Sequence, residues 1–213
     1  MYNTVLFDLD GTLTDPGLGI TNSVMYALDK FGIKVEDRTL LYKFIGPPLK
    51  ESYAKYYHFS GEDLNRAVVY YREYFSEKGI FENILYDGIA EVLDQIKSSG
   101  RKIILATSKP DKFAIQILEH FGIDQYFDFV AAATMDETRT AKADVVAYAI
   151  ESSSITDLKS TVMVGDREND ILGAKANGID SIGVLYGYGG REELQSAGAT
   201  YLAKSVADII NFL

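Results

Sequence analysis

The sequence predicts an α/β protein built on a doubly wound parallel sheet, with an all-helical segment inserted after the first strand. Short β-branched runs alternate with amphipathic helical patterns in the later part of the chain, as in parallel sheets that helices cover on both faces. Residues 15–83 interrupt this alternation because they contain several helical patterns and no convincing strand. We therefore expect a Rossmann-like core formed by residues 1–14 and 84–213 and a helical cap domain formed by residues 15–83.

Five short runs have the composition of buried strands. Each is rich in β-branched or small apolar residues and is bounded by turn residues. These runs are residues 4–7, 102–106, 129–132, 161–164 and 181–184.

Helical patterns separate the later strands. In each of them, apolar residues recur at three- and four-residue spacing. Gly122 and Gly178 follow two of these patterns and are typical of helix C-terminal ends. The predicted helices are residues 89–98, 112–121, 143–151 and 170–177.

Glycine and proline residues divide the inserted segment into shorter helical patterns. Its sharpest break is Gly46-Pro47-Pro48, and Gly17-Leu18-Gly19 is interpreted as flexible punctuation because no full glycine-rich nucleotide-binding fingerprint follows it. Tyrosines at helical spacing favour aromatic packing over substrate contact. These tyrosines are Tyr53, Tyr56, Tyr57, Tyr70, Tyr71 and Tyr74. The candidate hinge residues are Asp15, Pro16, Gly17, Glu82 and Asn83.

Composition excludes several classes of site and partner. The chain has no cysteine and only two histidines, which rules out thiolate catalysis and disulfides and leaves carboxylates to hold any metal. Its formal net charge of -10 repels nucleic acid and anionic membranes, so local cations must capture a small anionic ligand. The N-terminus carries neither a basic leader nor a long apolar run. We expect a cytoplasmic protein without a nucleic-acid or membrane partner.

Two aspartates follow the first predicted strand. Ligands of doubly wound sheets bind at the carboxyl ends of the strands, which is where Asp8 and Asp10 emerge. Extended backbone turns both toward the same side, with Leu9 facing away. One carboxylate then suits a nucleophile and the other a proton donor. A single acid at this position would more often cap a turn, but the run Asp8-Leu9-Asp10-Gly11-Thr12 favours catalysis.

Three later segments place further polar residues after strands. Thr107 and Ser108 follow residues 102–106, where hydroxyls and free N–H groups make a phosphate cradle. Lys142 lies near the start of a predicted helix, a position where an isolated lysine is usually a solvated surface residue. Asp166 and Asp170 are four residues apart, so they would share a helix face and could serve a hard cation if the helix has begun.

The joint pattern resembles the haloacid dehalogenase superfamily of hydrolases, in particular its phosphatases with a helical cap after the first strand. That group includes phosphoglycolate phosphatase-like and 5'-nucleotidase-like members. The first motif matches at Asp8 to Thr12 and the second at Thr107. The third matches at Lys142 and the fourth at Gly165 to Asp170, so the resemblance covers essentially the whole chain.

The resemblance implies a role for each matched residue. Asp8 would attack phosphorus, and Asp10 would protonate the leaving group and later activate water. Mg²⁺ would be held by Asp8, Asp166 and the backbone carbonyl of Asp10, and Asp170 would orient Lys142 or a metal-bound water. Thr107 would bind the phosphoryl oxygens and Lys142 would neutralise their charge. Further substrate contacts are assigned to Gly11, Thr12, Ser108, Lys109, Gly46 and Lys50.

One departure from the family pattern leaves the essential lysine open. Many relatives place proline directly after the third-motif lysine, whereas this chain has Lys142-Ala143-Asp144. Lys109, beside Thr107, is therefore a competing candidate that could instead face the leaving group. We favour Lys142 because it opens a helix just before the fourth motif.

The implied substrate is a small phosphorylated metabolite: phosphoglycolate, a nucleoside monophosphate or a sugar phosphate. The loop from Gly46 to Lys50 resembles a substrate-facing loop of relatives, although a helix stop followed by a new helix start explains it equally well. A β-phosphoglucomutase-like phosphotransferase would use the same aspartates and metal. Such relatives usually carry a cap arginine, which is absent from residues 45–52, so the sequence favours hydrolysis.

A dehalogenase and a non-enzymatic module are less well supported by the sequence. A true dehalogenase does not need Asp10 to protonate a leaving alkoxide. A phospho-aspartate signalling module, or a simple phosphate-binding module, would also place an aspartate beside magnesium, a threonine and a lysine. In receiver domains, however, the phosphorylated aspartate ends a later strand and no helical insert follows the first one.

Overall fold

The computed structural model describes all 213 residues and contains the predicted α/β core. Six strands form one sheet in the order β5-β4-β1-β6-β7-β8, and the paired strands run parallel. The strands of this sheet are β1 (Thr4–Phe7), β4 (Lys102–Pro110), β5 (Phe129–Ala133), β6 (Thr161–Gly165), β7 (Asp180–Val184) and β8 (Tyr201–Ala203). This arrangement confirms the predicted doubly wound sheet.

Helices connect the strands of this sheet. The core helices are α4 (Ile89–Ser98), α5 (Asp111–His120), α6 (Lys142–Ser152), α7 (Glu168–Ala176) and α8 (Arg191–Ala197). Short 3₁₀ segments lie at Asp124–Tyr126, Leu158–Ser160 and Ala207–Phe212. No helix of the chain combines the length and the apolar composition that crossing a bilayer requires.

The central strand β1 explains where the polar residues meet. It pairs with β4 on one side and β6 on the other, so Phe7 lies in register with both Leu105 and Val164. The chain first builds the sheet outward on the β4 side and then returns to add β6, which makes β1 the point where the strand order reverses. Ligands of doubly wound sheets bind at such a switch point, just beyond the carboxyl ends of the strands.

Strand β8 is absent from the sequence prediction. It has only three residues, and it pairs with β7 at the edge of the sheet. So short an edge strand is too brief to produce a recognisable alternation of apolar and polar residues. Strand β4 is also longer than predicted because it continues through Thr107, with an irregularity of register between Thr107 and Pro110.

The chain divides into two compact units, one of residues 1–14 and 85–213 and the other of residues 15–84. Two short paired strands, β2 (Thr14–Asp15) and β3 (Ile84–Leu85), lie where the chain passes between them. The second unit is helical. Its elements are α1 (Gly17–Asp29), a 3₁₀ helix (Arg38–Phe44), α2 (Leu49–Tyr57), α3 (Gly61–Tyr74) and a π-helical turn (Phe75–Gly79).

The interpretation of Gly17-Leu18-Gly19 as a flexible segment was wrong. Gly17-Leu18-Gly19 is the first turn of a helix and not a flexible connection. Gly19 is buried, and a Cβ atom at this position would collide with the backbone carbonyl of Gly79. Its lack of a side chain therefore allows two backbone segments to pack closely.

The tyrosines of the helical unit pack as predicted. Tyr53 is fully buried, and its ring contacts Phe44 and Phe59 at centroid distances of 5.0 and 5.9 Å. Each of the other five contacts at least one further aromatic ring of the same unit. Aromatic packing of this kind supplies much of the buried apolar surface of a small helical unit.

Candidate active site

The candidate site lies at the carboxyl ends of β1, β4 and β6. Asp8 directly follows β1, Thr107 lies within the extended β4, and Asp166 directly follows β6. Lys142 is the first residue of α6, and Asp170 lies in the first turn of α7. All five side chains are buried. The register of the three neighbouring strands thus brings together polar residues that are far apart in the sequence.

Lys142 is the cation at the centre of the site. Its Nζ lies 2.7 Å from Asp8 Oδ1 and 2.8 Å from Asp170 Oδ1, and it donates a hydrogen bond of 3.0 Å to the carbonyl oxygen of Ala106. Burial lowers the pKa of Lys142, but the charges of Asp170 and Asp8 outweigh burial and raise its pKa above the usual value. The side chain therefore stays charged at neutral pH.

A glycine on α7 allows Lys142 to occupy this position. A Cβ atom on Gly173 would lie 2.8 Å from Cγ of Lys142, which is closer than unstrained side chains approach. The absence of a side chain at residue 173 therefore lets α7 pack against the start of α6. The sequence contains no signal for this contact, because a single glycine within a helix has many possible explanations.

The structure corrects the expectation that Asp166 and Asp170 share a helix face. Helix α7 begins at Glu168, so Asp166 lies in the preceding loop, whereas Asp170 belongs to the first turn and accepts a hydrogen bond of 3.1 Å from the Arg167 N–H. The loop nevertheless turns Asp166 into the site. One carboxylate oxygen from each of Asp8, Asp166 and Asp170 lies within 4.8 Å of the others.

Burial and mutual repulsion raise the pKa values of two of these acids. For Asp166, burial is the largest cause of the increase in pKa, and the charges of Asp170 and Asp8 act in the same direction. The pKa of Asp166 therefore lies well above the usual value. Burial also raises the pKa of Asp170, to about 6, although the Lys142 ammonium opposes the increase. Three buried carboxylates and one lysine leave an excess of negative charge that a cation would neutralise.

The oxygen atoms of Asp166 fit a divalent cation. Its Oδ2 accepts a hydrogen bond of 2.7 Å from the backbone N–H of Tyr188, whereas its Oδ1 is buried without a hydrogen-bond partner. A buried carboxylate oxygen rarely lacks a partner, because the loss of its hydration is not offset. Asp8 and Asp170 offer further carboxylate oxygens close by, and hard divalent cations prefer oxygen ligands. The buried acidic cluster could therefore hold a metal ion.

Gly11 contributes to this cluster in a way that the sequence did not predict. Its φ angle is +84°, and a Cβ atom there would collide with the carboxylate of Asp166. Both the turn and the close approach of the backbone thus require glycine. The sequence pattern assigned Gly11 to substrate binding, whereas the structure places its backbone directly against the side chain of Asp166.

Asp10 and Lys109 form a second ion pair. Lys109 Nζ lies 2.6 Å from Asp10 Oδ2, and Asp10 Oδ1 is buried without a hydrogen-bond partner. Burial raises the pKa of Asp10, and the Lys109 ammonium opposes the increase. The two lysines that compete for one role in the sequence pattern thus have different partners. Lys142 pairs with Asp8 and Asp170, whereas Lys109 pairs with Asp10.

The remaining predicted residues have varied positions. Thr107 is buried, and its Oγ1 accepts a hydrogen bond of 3.2 Å from the Lys109 N–H. Thr12 is also buried, and its Oγ1 has no hydrogen-bond partner. Ser108 follows Thr107 and is partly exposed. Gly46 and Lys50 belong to the helical unit, Gly46 after the 3₁₀ helix with a φ angle of +99° and Lys50 in the first turn of α2.

The loop that follows β7 is part of the site but was not predicted from the sequence. Besides the hydrogen bond from Tyr188, this loop provides the hydroxyl of Tyr186, which donates a bond of 2.9 Å to the carbonyl oxygen of Thr12. The available signal was the run Gly187-Tyr188-Gly189-Gly190 after a predicted strand, since such strand ends line ligand sites.

An ion pair made by a residue of the fourth motif was not predicted either. Arg167 Nε lies 2.8 Å from Glu193 Oε1, which also accepts a hydrogen bond of 2.9 Å from the Glu168 N–H. The two partners are distant in the sequence, and no motif links them.

The chain is similar along its length to several known proteins. A family model described as haloacid dehalogenase-like hydrolase matches residues 5–184. A 5'-nucleotidase of Pseudomonas aeruginosa is 41% identical over 97% of this chain and 93% of its own length. The tyrosine-protein kinase PtkA of Mycobacterium tuberculosis is 40% identical over 92% of this chain and 66% of its own length.

Solved structures show the same fold. The crystal structure of a predicted phosphatase from Clostridium acetobutylicum superposes with a TM-score of 0.97 at 50% sequence identity, and all of both chains is covered. A phosphatase-like protein from Clostridium difficile superposes with a TM-score of 0.88 at 48% identity, covering 100% of this chain and 98% of that one. The similarity therefore extends over both compact units of the chain.

Proposed function

This chain belongs to the haloacid dehalogenase-like hydrolases and is a phosphatase for small phosphorylated substrates, and from that premise we propose that it uses Mg²⁺ and an aspartyl phosphate on Asp8. The observation that carries the proposal is the contact of Asp8 with the Lys142 ammonium beside the buried carboxylates of Asp166 and Asp170. A carboxylate that attacks an anionic phosphate needs such positive charge close by.

In the first step, an oxygen of Asp8 forms a bond to phosphorus while the bond to the leaving oxygen breaks. Asp10 donates a proton to that oxygen, so the product leaves as an alcohol. Burial, which raises the pKa of Asp10, favours the protonated form that this step requires. Lys109, only 2.6 Å from Asp10, would fix the orientation of the carboxyl group and lie near the departing oxygen.

In the second step, water attacks phosphorus and Asp10 accepts a proton from it. The bond between phosphorus and the Asp8 oxygen breaks, which releases inorganic phosphate and restores the carboxylate. The hydroxyl of Thr107 would donate a hydrogen bond to a phosphoryl oxygen, and Lys142 would neutralise charge on Asp8 throughout both steps. The same residues therefore serve both half-reactions.

Asp8, Asp166 and the backbone carbonyl of Asp10 would hold Mg²⁺, and Asp170 would orient Lys142. When bound, the cation supplies positive charge that offsets the phosphoryl oxygens. The unpartnered Oδ1 of Asp166 supports this assignment, because a cation would give that buried oxygen a ligand bond. Mg²⁺ is also consistent with an all-oxygen ligand set that contains two carboxylates.

Nucleoside monophosphates are the first substrates to test, because a relative named 5'-nucleotidase is 41% identical along almost the whole chain. Relatives named phosphoglycolate phosphatase and pyrophosphatase are 29% and 28% identical, so phosphoglycolate and pyrophosphate come next. Sugar phosphates complete the panel. A relative named tyrosine-protein kinase adds phosphotyrosine and its tyrosine acceptor to the compounds worth including.

The decisive experiment measures inorganic phosphate release from this panel by the full-length protein, with MgCl₂ and with EDTA. We expect many turnovers per enzyme molecule with at least one monophosphate, and loss of release in EDTA. Formation of a stable phosphoenzyme without turnover would indicate a signalling or binding module. Transfer of the phosphoryl group to another hydroxyl of a sugar would indicate a mutase, and undiminished release in EDTA would contradict the metal assignment.

A further inference from the structure

The loop at residues 186–189 connects two parts of the site. At one end, the Tyr186 hydroxyl donates a hydrogen bond of 2.9 Å to the carbonyl oxygen of Thr12, in the segment that carries Asp8 and Asp10. At the other, the Tyr188 N–H donates a bond of 2.7 Å to Oδ2 of Asp166. The loop therefore ties the segment after β1 to the aspartate that follows β6.

A neighbouring aromatic ring limits the movement of Tyr186. The ring of Tyr86 meets that of Tyr186 edge to face, with a centroid distance of 5.0 Å. Edge-to-face aromatic pairs of this kind are favourable and directional. The position of the Tyr186 hydroxyl is thus set both by its acceptor and by the ring against which it packs.

Two glycines let this loop lie directly on Asp166. A Cβ atom on Gly187 would collide with the carbonyl oxygen of Gly11 and with the side chain of Asp166, and one on Gly189 would collide with the carbonyl oxygen of Asp166. No heavy atom lies within 4 Å of a Cβ built on the next residue, Gly190. The requirement for glycine is therefore specific to the two positions that touch Asp166.

These contacts leave Asp166 with one committed oxygen and one available oxygen. The loop occupies Oδ2, while Oδ1 is buried without a hydrogen-bond partner. We propose that Tyr186, Gly187, Tyr188 and Gly189 are positioning residues that hold Asp166 ready for a divalent cation. This inference rests on the proposed function, because it concerns the same metal site, and it adds residues outside the four sequence motifs to that site.

The physical reason is preorganisation of the ligand. A carboxylate that is already oriented loses less rotational freedom when a cation binds, and its hydrogen bonds favour one orientation over the others. Loss of such supporting contacts around metal sites typically weakens metal affinity ~10- to 100-fold. A side chain at residue 187 would displace the carboxylate itself, so its effect belongs in this range.

The test is calorimetric titration of MgCl₂ into the metal-free full-length protein, which needs neither substrate nor turnover. We expect Gly187→Ala to weaken the Mg²⁺ Kd by ~10- to 100-fold. Tyr186→Phe removes only one hydroxyl and should weaken it about fivefold, the equivalent of one hydrogen bond. Gly190→Ala is the matched control, and we expect a Kd within about twofold of the wild type because its Cβ meets open space.

Melting temperatures of the metal-free variants distinguish positioning from general destabilisation. Weaker Mg²⁺ binding by Tyr186→Phe at an unchanged metal-free melting temperature would support the inference. A wild-type Kd in Tyr186→Phe, or in a folded Gly187→Ala, would overturn it even if the wild type binds Mg²⁺ and releases phosphate. Equal weakening in Gly190→Ala would overturn it too. A wild type that does not bind Mg²⁺ would overturn the metal assignment of the proposed function as well.

Discussion

At the scale of single residues, Asp8 has the role that is simplest to test. Asp8→Asn keeps the size of the side chain and can keep a hydrogen bond with Lys142, but an amide cannot attack phosphorus. We expect turnover to fall to background while the protein still folds. Phosphate release under saturating substrate and Mg²⁺ measures this, and circular dichroism checks the fold.

Asp94→Asn provides a control for the Asp8 variant, since it makes the same chemical change on the exposed face of α4. We expect the control to release phosphate at the wild-type rate. Asp8→Asn activity within a few-fold of the control would remove Asp8 from the role of nucleophile.

Asp166 illustrates the conflict between stability and function at one residue. Burial, together with the charges of Asp170 and Asp8, raises its pKa well above the usual value, so ionising it in the metal-free protein costs free energy. Asp166→Asn removes the negative charge but keeps a polar side chain. We expect it to increase the metal-free free energy of unfolding at pH 7.5 by about 1–3 kcal/mol, the usual size of the desolvation penalty of an uncompensated buried group. Urea denaturation without MgCl₂ measures this gain in stability, and denaturation with MgCl₂ measures the stabilisation by the metal.

The pH dependence of that gain has a definite sign. An acid whose folded-state pKa is raised stabilises the fold when protonated, and this contribution is lost as pH rises through the folded-state pKa. The advantage of Asp166→Asn in metal-free protein should therefore be small at low pH and grow as pH rises. MgCl₂ should stabilise the wild type but not the variant. A gain that is independent of pH would contradict this explanation.

At the scale of secondary-structure elements, Gly19 in α1 is expected to respond to substitution by alanine in the opposite direction from an ordinary helix glycine. Glycine to alanine inside a helix usually stabilises by about 1 kcal/mol, because alanine has the higher helix propensity. At Gly19 the new Cβ would collide with the carbonyl oxygen of Gly79. We expect Gly19→Ala to lower the free energy of unfolding by about 1–3 kcal/mol, the usual cost of overpacking.

Chemical denaturation monitored by tyrosine fluorescence tests the Gly19 prediction. Leu18→Ala, on the same turn but at a residue that is 53% exposed, serves as the control and should change stability little. A Gly19→Ala protein more stable than the wild type would show that the backbone contact between α1 and the π-helical turn is dispensable.

At the scale of the whole molecule, we propose that the two compact units have different tasks. In this proposal the core holds the groups that act on the phosphoryl group common to every substrate, so we expect residues 15–83 to determine which leaving group is accepted. We expect Lys50→Ala to change the relative kcat/KM among substrates. Lys142→Ala should depress all substrates together, because Lys142 contacts Asp8.

A panel of natural monophosphates and a small artificial ester, assayed with both lysine variants, measures this division. Lys55→Ala is a control on the same helix, with the same charge lost from an exposed position. A uniform loss for Lys50→Ala, or no change at all, would disprove the assignment of leaving-group selectivity to the Gly46–Pro47–Pro48 loop region.

The sequence by itself determined the α/β class, the first five strands of the main sheet and the positions of α4, α5, α6 and α7 to within one or two residues. Buried parallel strands need continuous apolar runs, and amphipathic helices need a regular spacing, so both leave local patterns. The positions of Asp8 and Asp166 directly after strands were predictable for the same reason. Thr107 was expected just after a strand but lies within β4. Strand β8 was not, because three residues at a sheet edge leave too short a pattern.

Only the tertiary structure decided which polar residues are partners. Lys109 is adjacent to the phosphate-cradle segment in the sequence, yet its ammonium pairs with Asp10, 99 residues away. Tyr188 and Gly187 reach Asp166 because β7 lies beside β6 in the sheet, a neighbour relation that no local pattern contains. Local patterns indicate which residues of a segment are buried and which are exposed. Ion pairs and ligand geometry depend instead on the register of strands that are distant in the chain.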